Sequence, residues 1–415
     1  MRKWLLIAGA LVVLGLVGAA GTYVLVKRHQ AADVHGSSTV EFVTTAAPVV
    51  QKPKEPGVLW EAYGYDEERA RVSPYAHRPP YREVWKFRAQ ALVEFPPVIA
   101  FGRLYFAAND GDVFAINAAT GKRAWKKKTG RCQAASPAVA GRLVFVPFMN
   151  AHPCNRKKTK GLTGQLIAYY AGSGEVHWSK QIGPSESSPV VDRGYVYTAD
   201  WNGRVWSFVG STGKLRWVAK VGAKVKGAVA ISGNRLYVGD YGGHLYALDV
   251  RTGKQLWRGS SQQRLGGRGQ FYSTPTAAYG RVYLGSTDGK VYSFGATTGS
   301  VRWSHGTGGN VYSSPAVWQQ RVFVGSYSGR FYAFDAATGD VKWQFKANGP
   351  ISGSPTVMDG VVYFATLKQR TYGLDVRTGK QVFAWNDGKY SPIVADDKRV
   401  YLVGYARVYG LQEKR

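Results

Sequence analysis

Cysteine, histidine and acidic residues are scarce in this sequence. Its 415 residues include 2 cysteines and 7 histidines, and 26 acidic residues stand against 55 basic ones, for a formal net charge of +29. The cysteines are too far apart for a Cys-x-x-Cys motif, and no His-x-x-x-His pair occurs. No nucleophile elbow or phosphate-cradling loop is present. These absences argue against thiol redox chemistry, the common zinc sites and the common hydrolase classes.

What the sequence does contain is a repeat. The glycine of a Thr-Gly or Ser-Gly turn recurs about every 40 residues, at Gly121, Gly174, Gly213, Gly253, Gly299, Gly339 and Gly379. Each unit reads as four short strands, which begin after a Ser/Thr-Pro pair and end with a strand that usually carries tryptophan. Such a unit is typical of a propeller blade.

An eighth unit lacks a fourth strand of its own. Residues 400–404 and 408–411 form one more strand pair, and a matching strand, 83–87, stands ahead of the first complete unit. We therefore predict an all-β fold over residues 85–415, an eight-bladed β-propeller of four-stranded blades. In it the N-terminal strand closes the last blade, which leaves no sheet edge unpaired.

The region before the propeller divides into three parts. Residues 4–26 carry no charge and are long enough to cross a bilayer core of about 30 Å, so we predict one transmembrane helix, a membrane anchor or uncleaved signal, within 1–28. A cleaved signal peptide is the alternative, since 18–21 are small residues. Residues 29–59 are rich in Ser, Thr, Ala and Pro and predict a flexible tether. Residues 60–84 mix aromatic and charged side chains and are expected to pack on the propeller.

The two cysteines belong to one part of the predicted ring. Cys132 leads into the second blade, and Cys154 lies in an enlarged turn of that blade, residues 149–164. In an oxidising compartment this proximity predicts a disulfide that pins the long loop. A metal site of both cysteines with His152 is the alternative, although no fourth ligand is evident. The disulfide prediction places the propeller outside the cytoplasm. Together with the predicted transmembrane helix, it predicts a single-pass protein of the cell membrane.

Variation between the units is concentrated on one predicted face. The Thr-Gly turns are nearly uniform, whereas the opposite face receives the enlarged turn 149–164 and an insertion at 262–269. Loops of this kind often carry binding sites, and a basic surface favours anionic partners. We predict a binding face formed by Arg131, Arg156, Lys157, Lys158, Lys224, Lys226, Arg264 and Arg268. Tolerated surface loops with solvated charges are the alternative, and nucleic acid is not expected outside the cytoplasm.

The blades resemble the pyrroloquinoline quinone (PQQ) repeat family. The tryptophan-docking motif of that family, Ala-x-Asp-x-x-Thr-Gly-x-x-x-Trp, matches residues 247–257 and 333–343, with near matches at 115–125 and 373–383. Residues 60–74 also resemble the opening of quinoprotein dehydrogenases. The resemblance implies that eight aromatic residues dock neighbouring blades, namely Trp85, Trp125, Trp178, Trp217, Trp257, Trp303, Trp343 and Phe383.

The resemblance implies one of two functions. Quinoprotein dehydrogenases hold PQQ and Ca²⁺ on the propeller axis, with adjacent cysteines above the quinone, a Glu and an Asn for the ion, and a catalytic Asp. This chain has no adjacent cysteines, and its inner Ser-Pro segments are expected to supply no carboxylate. Propellers of the outer-membrane assembly type bind a partner protein and no quinone.

We therefore predict a non-catalytic binding or scaffolding module at the cell envelope. No cofactor is expected, and no cysteine near position 20 offers a lipid anchor. Its predicted partner is an envelope protein or an anionic envelope component, and it is predicted to meet the membrane through its N-terminal helix. The alternative is a PQQ- and calcium-dependent oxidoreductase acting on an alcohol or a sugar.

Overall fold

The computed structural model describes residues 13, 15–25, 31–48, 55–154, 161–264, 266–391 and 393–414. It confirms the predicted all-β fold, because eight antiparallel sheets form the blades of a propeller. A short 3₁₀ helix, Thr44–Ala46, lies near the start. Two strands then precede the first complete blade, β1 (Val58–Trp60) and β2 (Tyr81–Arg88).

Seven blades are formed by consecutive strands, named A to D from the central channel outward. Blades 1 to 4 contain, in that order, β3 (Val98–Ala100), β4 (Arg103–Ala107), β5 (Val113–Asn117) and β6 (Arg123–Lys127); β7 (Ala138–Ala140), β8 (Leu143–Phe148), β9 (Gly164–Tyr170) and β10 (Val176–Ile182); β11 (Val190–Asp192), β12 (Tyr195–Ala199), β13 (Arg204–Val209) and β14 (Leu215–Lys220); and β15 (Ala230–Ser232), β16 (Arg235–Gly239), β17 (His244–Asp249) and β18 (Gln255–Ser260). A separate hairpin follows, β19 (Gln263–Arg264) and β20 (Gly267–Arg268). Blades 5 to 7 contain β21 (Thr276–Ala278), β22 (Arg281–Gly285), β23 (Lys290–Gly295) and β24 (Val301–Gly306); β25 (Ala316–Trp318), β26 (Arg321–Gly325), β27 (Arg330–Asp335) and β28 (Val341–Lys346); and β29 (Thr356–Met358), β30 (Val361–Thr366), β31 (Arg370–Asp375) and β32 (Gln381–Trp385).

The eighth blade joins the two ends of the propeller chain. Its inner strands are β33 (Val394–Ala395), β34 (Val400–Val403) and β35 (Arg407–Glu413), and its outer strand is β2. Strand β2 runs antiparallel to β35, from the pair Tyr81 and Glu413 to the pair Arg88 and Arg407. The predicted closure is confirmed, because the N-terminal strand supplies the strand that the last unit lacks.

Burial of the strands follows from the stacking of the blades. In a middle strand such as β27, both faces are covered by neighbouring blades, so Phe331, Tyr332, Ala333 and Phe334 are all buried. Outer strands such as β28 alternate between exposed and half-buried residues. Apolar and aromatic side chains between blades therefore form a core that is distributed around the ring.

The two ends of the ring differ, and we name them by their connections. The A to B and C to D turns, which include the Thr-Gly turns, form the turn face. The B to C turns and the D to A connections between blades form the loop face. Both the enlarged turn 149–164 and the β19–β20 hairpin belong to the loop face.

The predicted transmembrane helix is not confirmed. Residues 13 and 15–25 are helical, and the rest of the 4–26 segment lies outside the described residues. Within the described part of the chain, no helix combines the length and the apolar character that a membrane crossing requires.

Residues 31–48 differ from the flexible tether expected over 29–59, because they contact blades 5 and 6. Asp33 forms an ion pair with Lys290 at 2.9 Å, and Val34 exchanges backbone hydrogen bonds with Ser304. The Glu41 carboxylate accepts a hydrogen bond from the Arg302 Nε at 2.7 Å. These contacts are specific pairings that the composition of the segment does not reveal. Residues 49–54 lie outside the described residues.

Residues 58–77, which we call the axial segment, run along the inner strands. Strand β1 pairs with β3 of blade 1, so that blade 1 becomes a five-stranded sheet. Backbone N–H groups of later inner strands then donate to carbonyl oxygens of the segment at 2.7–3.0 Å. These pairs are Val139 to Glu61, Ile231 to Glu67, Ala277 to Glu68, Val317 to Ala70 and Val357 to Arg71. The axial segment therefore packs inside the ring, across blade after blade.

Two arginines fix the axial segment in the channel. Arg69 is fully buried and donates to the carbonyl oxygens of Ser188 and Val229, at 3.1 and 3.0 Å. Burial, with a smaller contribution from the charge of Arg71, lowers the pKa of Arg69 to about 9. Arg71 is also buried, and its guanidinium lies 4.1 Å from the centre of the Tyr63 ring. The segment thus brings Tyr63 into the interior of the ring.

Candidate binding site on the loop face

The predicted docking residues lie between neighbouring blades, close to the turn face. Trp303 is representative, because it is fully buried and its Nε1 donates to the Ala336 carbonyl of the next blade at 2.9 Å. Its ring covers Gly339, where a Cβ would lie only 2.7 Å from the indole. The other tryptophan donors and their carbonyl acceptors are Trp85 with Ala118, Trp125 with Ala171, Trp178 with Gly210, Trp217 with Val250, Trp257 with Ala296, and Trp343 with Val376.

Phe383 takes the same position between blades 7 and 8. It has no N–H donor, and it packs instead against Tyr81 and Tyr363, with ring centroids 5.3 and 5.9 Å away. Tyr81 belongs to the N-terminal strand β2 and Tyr363 to blade 7. At this junction, which involves the strand that closes the ring, the contact therefore differs from the seven tryptophan contacts elsewhere.

On the loop face, the structure confirms the predicted disulfide. Cys132 and Cys154 are bonded, with their Cα atoms 5.6 Å apart. His152 lies beside them, with Nδ1 3.4 Å from the Cys154 sulfur and Nε2 3.0 Å from the Asp110 carbonyl. A metal would require free thiolates, so the bonded sulfurs leave His152 without the partners of the alternative metal site.

Arg131 holds the enlarged turn. Its Nη1 donates to the carbonyl oxygens of Met149 and Thr163, at 3.2 and 3.0 Å, and so joins the two ends of the turn. Desolvation by burial lowers the pKa of this guanidinium. The predicted site residues Arg156, Lys157 and Lys158 lie outside the described residues.

Arg264 and Arg268 lie on the β19–β20 hairpin, and both are exposed. Arg264 donates to the Asp288 carbonyl at 2.6 Å, and Arg268 donates to the Ser261 carbonyl. Each guanidinium thus ties the hairpin to the propeller through one nitrogen while the side chain remains accessible. They are the two predicted cations that the structure places on the surface of the loop face.

Lys224 and Lys226 line a cavity of about 520 Å³ that opens on the loop face. Its wall includes seven aromatic residues from B to C turns and D to A connections, Phe95 and the six that follow. The six are Trp201, Tyr241, Tyr272, Tyr312, Tyr327 and Tyr390. Tyr63 of the axial segment also lines the cavity, so this segment contributes to the cavity surface.

The tyrosines form a continuous aromatic arc. The ring centroids are 6.2 Å apart between Tyr241 and Tyr272, 5.3 Å between Tyr272 and Tyr312, and 4.8 Å between Tyr312 and Tyr327. The last two contacts are edge-to-face. Desolvation by burial, followed by the nearby Glu186 charge, raises the pKa of Tyr272 well above its usual value. Tyr272 therefore keeps its proton and can act as a hydrogen-bond donor.

Glu186 pairs with Lys226 inside the cavity. The Lys226 Nζ donates to Oε1 at 3.2 Å and lies 3.1 Å from Oε2, which accepts no hydrogen bond within the described part of the chain. The same ammonium lies 4.5 Å from the centre of the Trp201 ring, as does that of Lys224. Desolvation raises the pKa of Glu186, and the Lys226 charge opposes this shift.

Glu186 corrects one expectation from the sequence. The inner Ser-Pro segments were expected to supply no carboxylate, yet Glu186 stands three residues before Pro189 in such a segment and its side chain lines the cavity. Trp201 and the ring of tyrosines were also missed. Their signal is positional, because they lie in connections to the loop face at equivalent points of successive units.

Hydroxyl groups of the inner Ser/Thr-Pro segments add a polar ring. Thr274, Ser314 and Ser354 each accept a backbone N–H from the preceding blade, at 2.9–3.0 Å. Ser188 does the same with the N–H of Ser136 at 2.9 Å. A hydroxyl that accepts in this way still has a proton to donate. Hydroxyl donors therefore line the inner end of the cavity.

The cavity fits PQQ with Ca²⁺ poorly. A calcium ion needs six or more oxygen ligands, and the Lys226 ammonium already lies against both oxygens of Glu186. Among the described residues, the one cluster with metal-ligand geometry is that of Cys132, His152 and Cys154. The Lys226 ammonium thus occupies the position beside the Glu186 carboxylate that a cation would take.

The docking tryptophans, the Ser/Thr-Pro inner strands and the axial cavity define an eight-bladed propeller of the PQQ-repeat class. The family model described as outer membrane protein assembly factor BamB matches residues 80–185, 162–315 and 306–412. The chain therefore belongs to this family.

Known proteins of two kinds are similar to the chain. The assembly factor BamB of Burkholderia pseudomallei is 32% identical over 131 residues, which are 31% of this chain and 32% of that protein. The chain spans about a third to a half of the length of the first curated relatives it matches. BamB from Moraxella catarrhalis has a TM-score of 0.65 at 17% identity, over 80% of this chain and 100% of that one. Quinohemoprotein alcohol dehydrogenase from Comamonas testosteroni has a TM-score of 0.71 at 15% identity, over 88% and 82%. The structural similarities concern the fold alone.

Proposed function

We propose that this protein is a non-catalytic propeller module of the cell envelope that binds an envelope protein through its loop face. The observation that carries this proposal is the position of the departures from the repeat. The enlarged turn held by Cys132 and Cys154 and the β19–β20 hairpin extend from the same face. The turn face is occupied by contacts between blades, so the loop face is the better surface for a partner.

The kind of partner follows from the family. The relatives are named for outer membrane protein assembly, and we extend this role to the chain as a proposal. An acidic surface on the partner would complement Arg264 and Arg268, together with Arg156, Lys157 and Lys158. Lys224 and Lys226 line the cavity and Arg131 holds the enlarged turn, so we assign these three to other roles.

The N-terminal region has a separate proposed role. We infer that residues 1–28 attach the protein to the membrane, with the propeller outside the cytoplasm. The uncharged run at 4–26 and the disulfide between Cys132 and Cys154 support this placement. Detection of the N-terminal residues in the membrane fraction of the mature protein would test it, and a mature chain that begins after residue 21 would contradict it.

Site-specific photo-crosslinking in the host cell tests the binding face. A crosslinking amino acid at Arg264 should capture a component of outer-membrane assembly, and the same group at Arg377, on a Thr-Gly turn, should not. The double variant Arg264→Glu and Arg268→Glu should weaken capture from a third position, Gln270, without loss of folded protein. Equal capture from both faces would overturn the proposal.

A PQQ-dependent oxidoreductase is the second candidate. The observation in its favour is the axial cavity with Trp201 and Glu186, although Lys226 is poorly placed for a calcium site. Titration of the purified protein with PQQ and Ca²⁺ separates the candidates. Saturable, stoichiometric binding with dye reduction in the presence of an alcohol or a sugar would support the enzyme, and no binding would remove it.

A further inference from the structure

The chain reaches the propeller from the side of the loop face. Residues 31–48, which we call the strap, follow the outer edge of blade 5, where Val34 forms an antiparallel bridge with Ser304 of β24. Strand β24 runs from the turn face to the loop face, because it follows a C to D turn. The strap runs in the opposite direction, so the residues before Val34 leave the blade on the side of the loop face.

A buried lysine holds the first residues of the strap. Lys290 is only 7% exposed, and its ammonium donates to the carbonyl oxygens of Ala31 and Ala32, at 2.6 and 2.9 Å. The same ammonium pairs with the Asp33 carboxylate at 2.9 Å. A buried charge is costly unless its acceptors stay in place. These three residues are therefore fixed at the loop-face end of blade 5.

Two arginines hold the strap at the turn face. Arg281 is fully buried and donates to the carbonyl oxygens of Ser37 and Glu41, at 3.0 and 2.7 Å. The Arg302 Nε donates to the Glu41 carboxylate at 2.7 Å. Because it is attached near both faces, the strap has one fixed position and one fixed direction along blade 5.

The strap shortens the connection between the N-terminal region and the propeller. Val26, the last residue of the uncharged run, is five positions before Ala31, and an extended chain of that length spans at most about 18 Å. Without the strap contacts, the first fixed strand would be β1, which begins at Val58. The 32 residues from 27 to 58 span up to about 110 Å when extended. A connection that would leave the propeller free to turn is thus replaced by a short one at a defined point of the rim.

The basic hairpin lies beside that point. The Gln262 Nε2 donates to the Ala32 carbonyl at 2.8 Å, and Gln262 directly precedes the β19–β20 hairpin. Arg264 and Arg268 of this hairpin are therefore on the same side of the ring as the short connection.

We infer that the strap holds the loop face toward the membrane, so that the partner of this face is a protein embedded in the same membrane, with an acidic surface beside the bilayer. The inference rests on the membrane attachment proposed for residues 1–28. It adds the orientation of the propeller and the class of its partner.

Energy transfer to a lipid surface tests the orientation. The full chain would be placed in phosphatidylcholine vesicles that carry an acceptor dye on the headgroups. A donor dye would be attached at Gln270→Cys on the loop face or at Arg377→Cys on the turn face, since both native cysteines are bonded to each other. Transfer should be greater from position 270. Equal transfer from vesicle-bound protein would overturn this inference alone, whereas a chain that does not float with vesicles would overturn the membrane role of residues 1–28 as well.

Two insertions test the role of the strap without changing any of its contacts. A flexible Gly/Ser segment of about 30 residues has an average span of about 30 Å. Inserted between residues 30 and 31, it removes the length limit and should abolish the difference in transfer between the two faces. The matched control, the same insertion between residues 48 and 49, lengthens the chain behind the strap and should preserve the difference. A difference that survives the first insertion, or that is lost with the second, would overturn the inference.

The class of the partner is tested in host cells. The protein captured by a photo-crosslinking group at Arg264 should stay in the membrane fraction after alkaline extraction, which releases soluble and peripheral proteins. Release of the captured protein would overturn the assignment of a membrane-embedded partner. It would leave the proposed binding role of the loop face intact.

Discussion

The turn face and the loop face of this propeller are formed by the same repeat, yet they differ in regularity. At the turn face, seven tryptophans make one contact seven times, each with a carbonyl and a glycine of the next blade. At the loop face, the described residues include a disulfide-held turn, a hairpin and an aromatic cavity, none of which follows the repeat. The sequence is regular where blades must pack against each other, and it varies where they need not.

The largest effect should come from a docking tryptophan. Trp303→Ala removes a fully buried side chain and its hydrogen bond to Ala336, and should lower the free energy of unfolding by about 3–5 kcal/mol. Trp201→Ala on the loop face should cost less, because that indole borders an open cavity and its N–H has no hydrogen-bond partner to lose among the described residues. Urea denaturation of both variants measures the difference. Equal losses of unfolding free energy in the two variants would show that the two tryptophans, and hence the two faces, contribute equally to stability.

The next effect depends on pH and concerns the buried axial segment. Desolvation, with the Glu68 charge, raises the pKa of Asp66 from 3.8 to about 7. The unfolded chain ionises near pH 4 and the folded one near pH 7, so stability falls across this interval and stays low above it. Asp66→Asn keeps an acceptor for the Ala70 N–H and should remove this fall, with a gain on the order of 3 kcal/mol at pH 8.

Asp249→Asn on a Thr-Gly turn is the matched control. Although desolvation opposes it, hydrogen bonds from Thr252 lower the pKa of Asp249. A lowered pKa stabilises the fold above about pH 4, and this contribution is lost as the pH falls below it. The control should therefore show a slight loss at pH 8, opposite in sign to Asp66→Asn. The free energy of unfolding of both variants should be measured from pH 4 to 8. If it changed in the same direction in both variants, the opposite pKa shifts assigned to Asp66 and Asp249 would be contradicted.

Removal of the disulfide should weaken the loop face. The double variant Cys132→Ala and Cys154→Ala frees a loop with a sequence separation of 22 residues, and should cost roughly 2–3 kcal/mol. Proteolysis should then cut within 149–164 before it cuts any blade. Arg131 still joins the ends of this turn, so Arg131→Ala in the same background should accelerate cleavage further. An unchanged cleavage pattern would mean that the disulfide does not hold the loop.

The smallest expected effect is the difference in stability between alanine substitutions at two glycines with similar backbone angles. Gly339 on the turn face has φ +82°, and a Cβ there would lie 2.7 Å from Trp303. Gly308 on the loop face has φ +78°, with the nearest atom 3.8 Å away. Alanine at either site costs about 1 kcal/mol for the positive φ, and Gly339→Ala should cost about 1–2 kcal/mol more for the clash. Equal melting temperatures would exclude a tight tryptophan dock.

Local signals explain what the sequence predicted. The turn glycines and the fourth-strand tryptophans lie at fixed positions within each unit, so the blades could be counted, and β2 was recognised because the last unit lacked a fourth strand. The disulfide followed from the position of Cys132 and Cys154 in one blade. These features need only the order of strands within a repeat.

Features that depend on side-chain direction or on contacts distant in the chain were missed. Lys224 and Lys226 were assigned to a surface, but in the structure they line the cavity, because a D to A connection can present a side chain either inward or outward. Glu186 was overlooked for the same reason. The contacts of Glu41 and Asp33 with blade 5 come from a segment without periodicity. The membrane anchor remains a prediction.

The backbone of the axial segment meets the blades in the order in which a ribosome makes them. Its first contact joins Val58 to Ala100 in blade 1, and its last joins His77 to Asp396 in blade 8. Each blade, once synthesised, therefore meets residues that already exist, and the enclosed loop lengthens by about one blade at each step, which adds little to its closure entropy. Strand β2 must wait longest, since its partner β35 is the last strand of the propeller. The segment can guide assembly of the ring, and the final step is the pairing of β2 with β35.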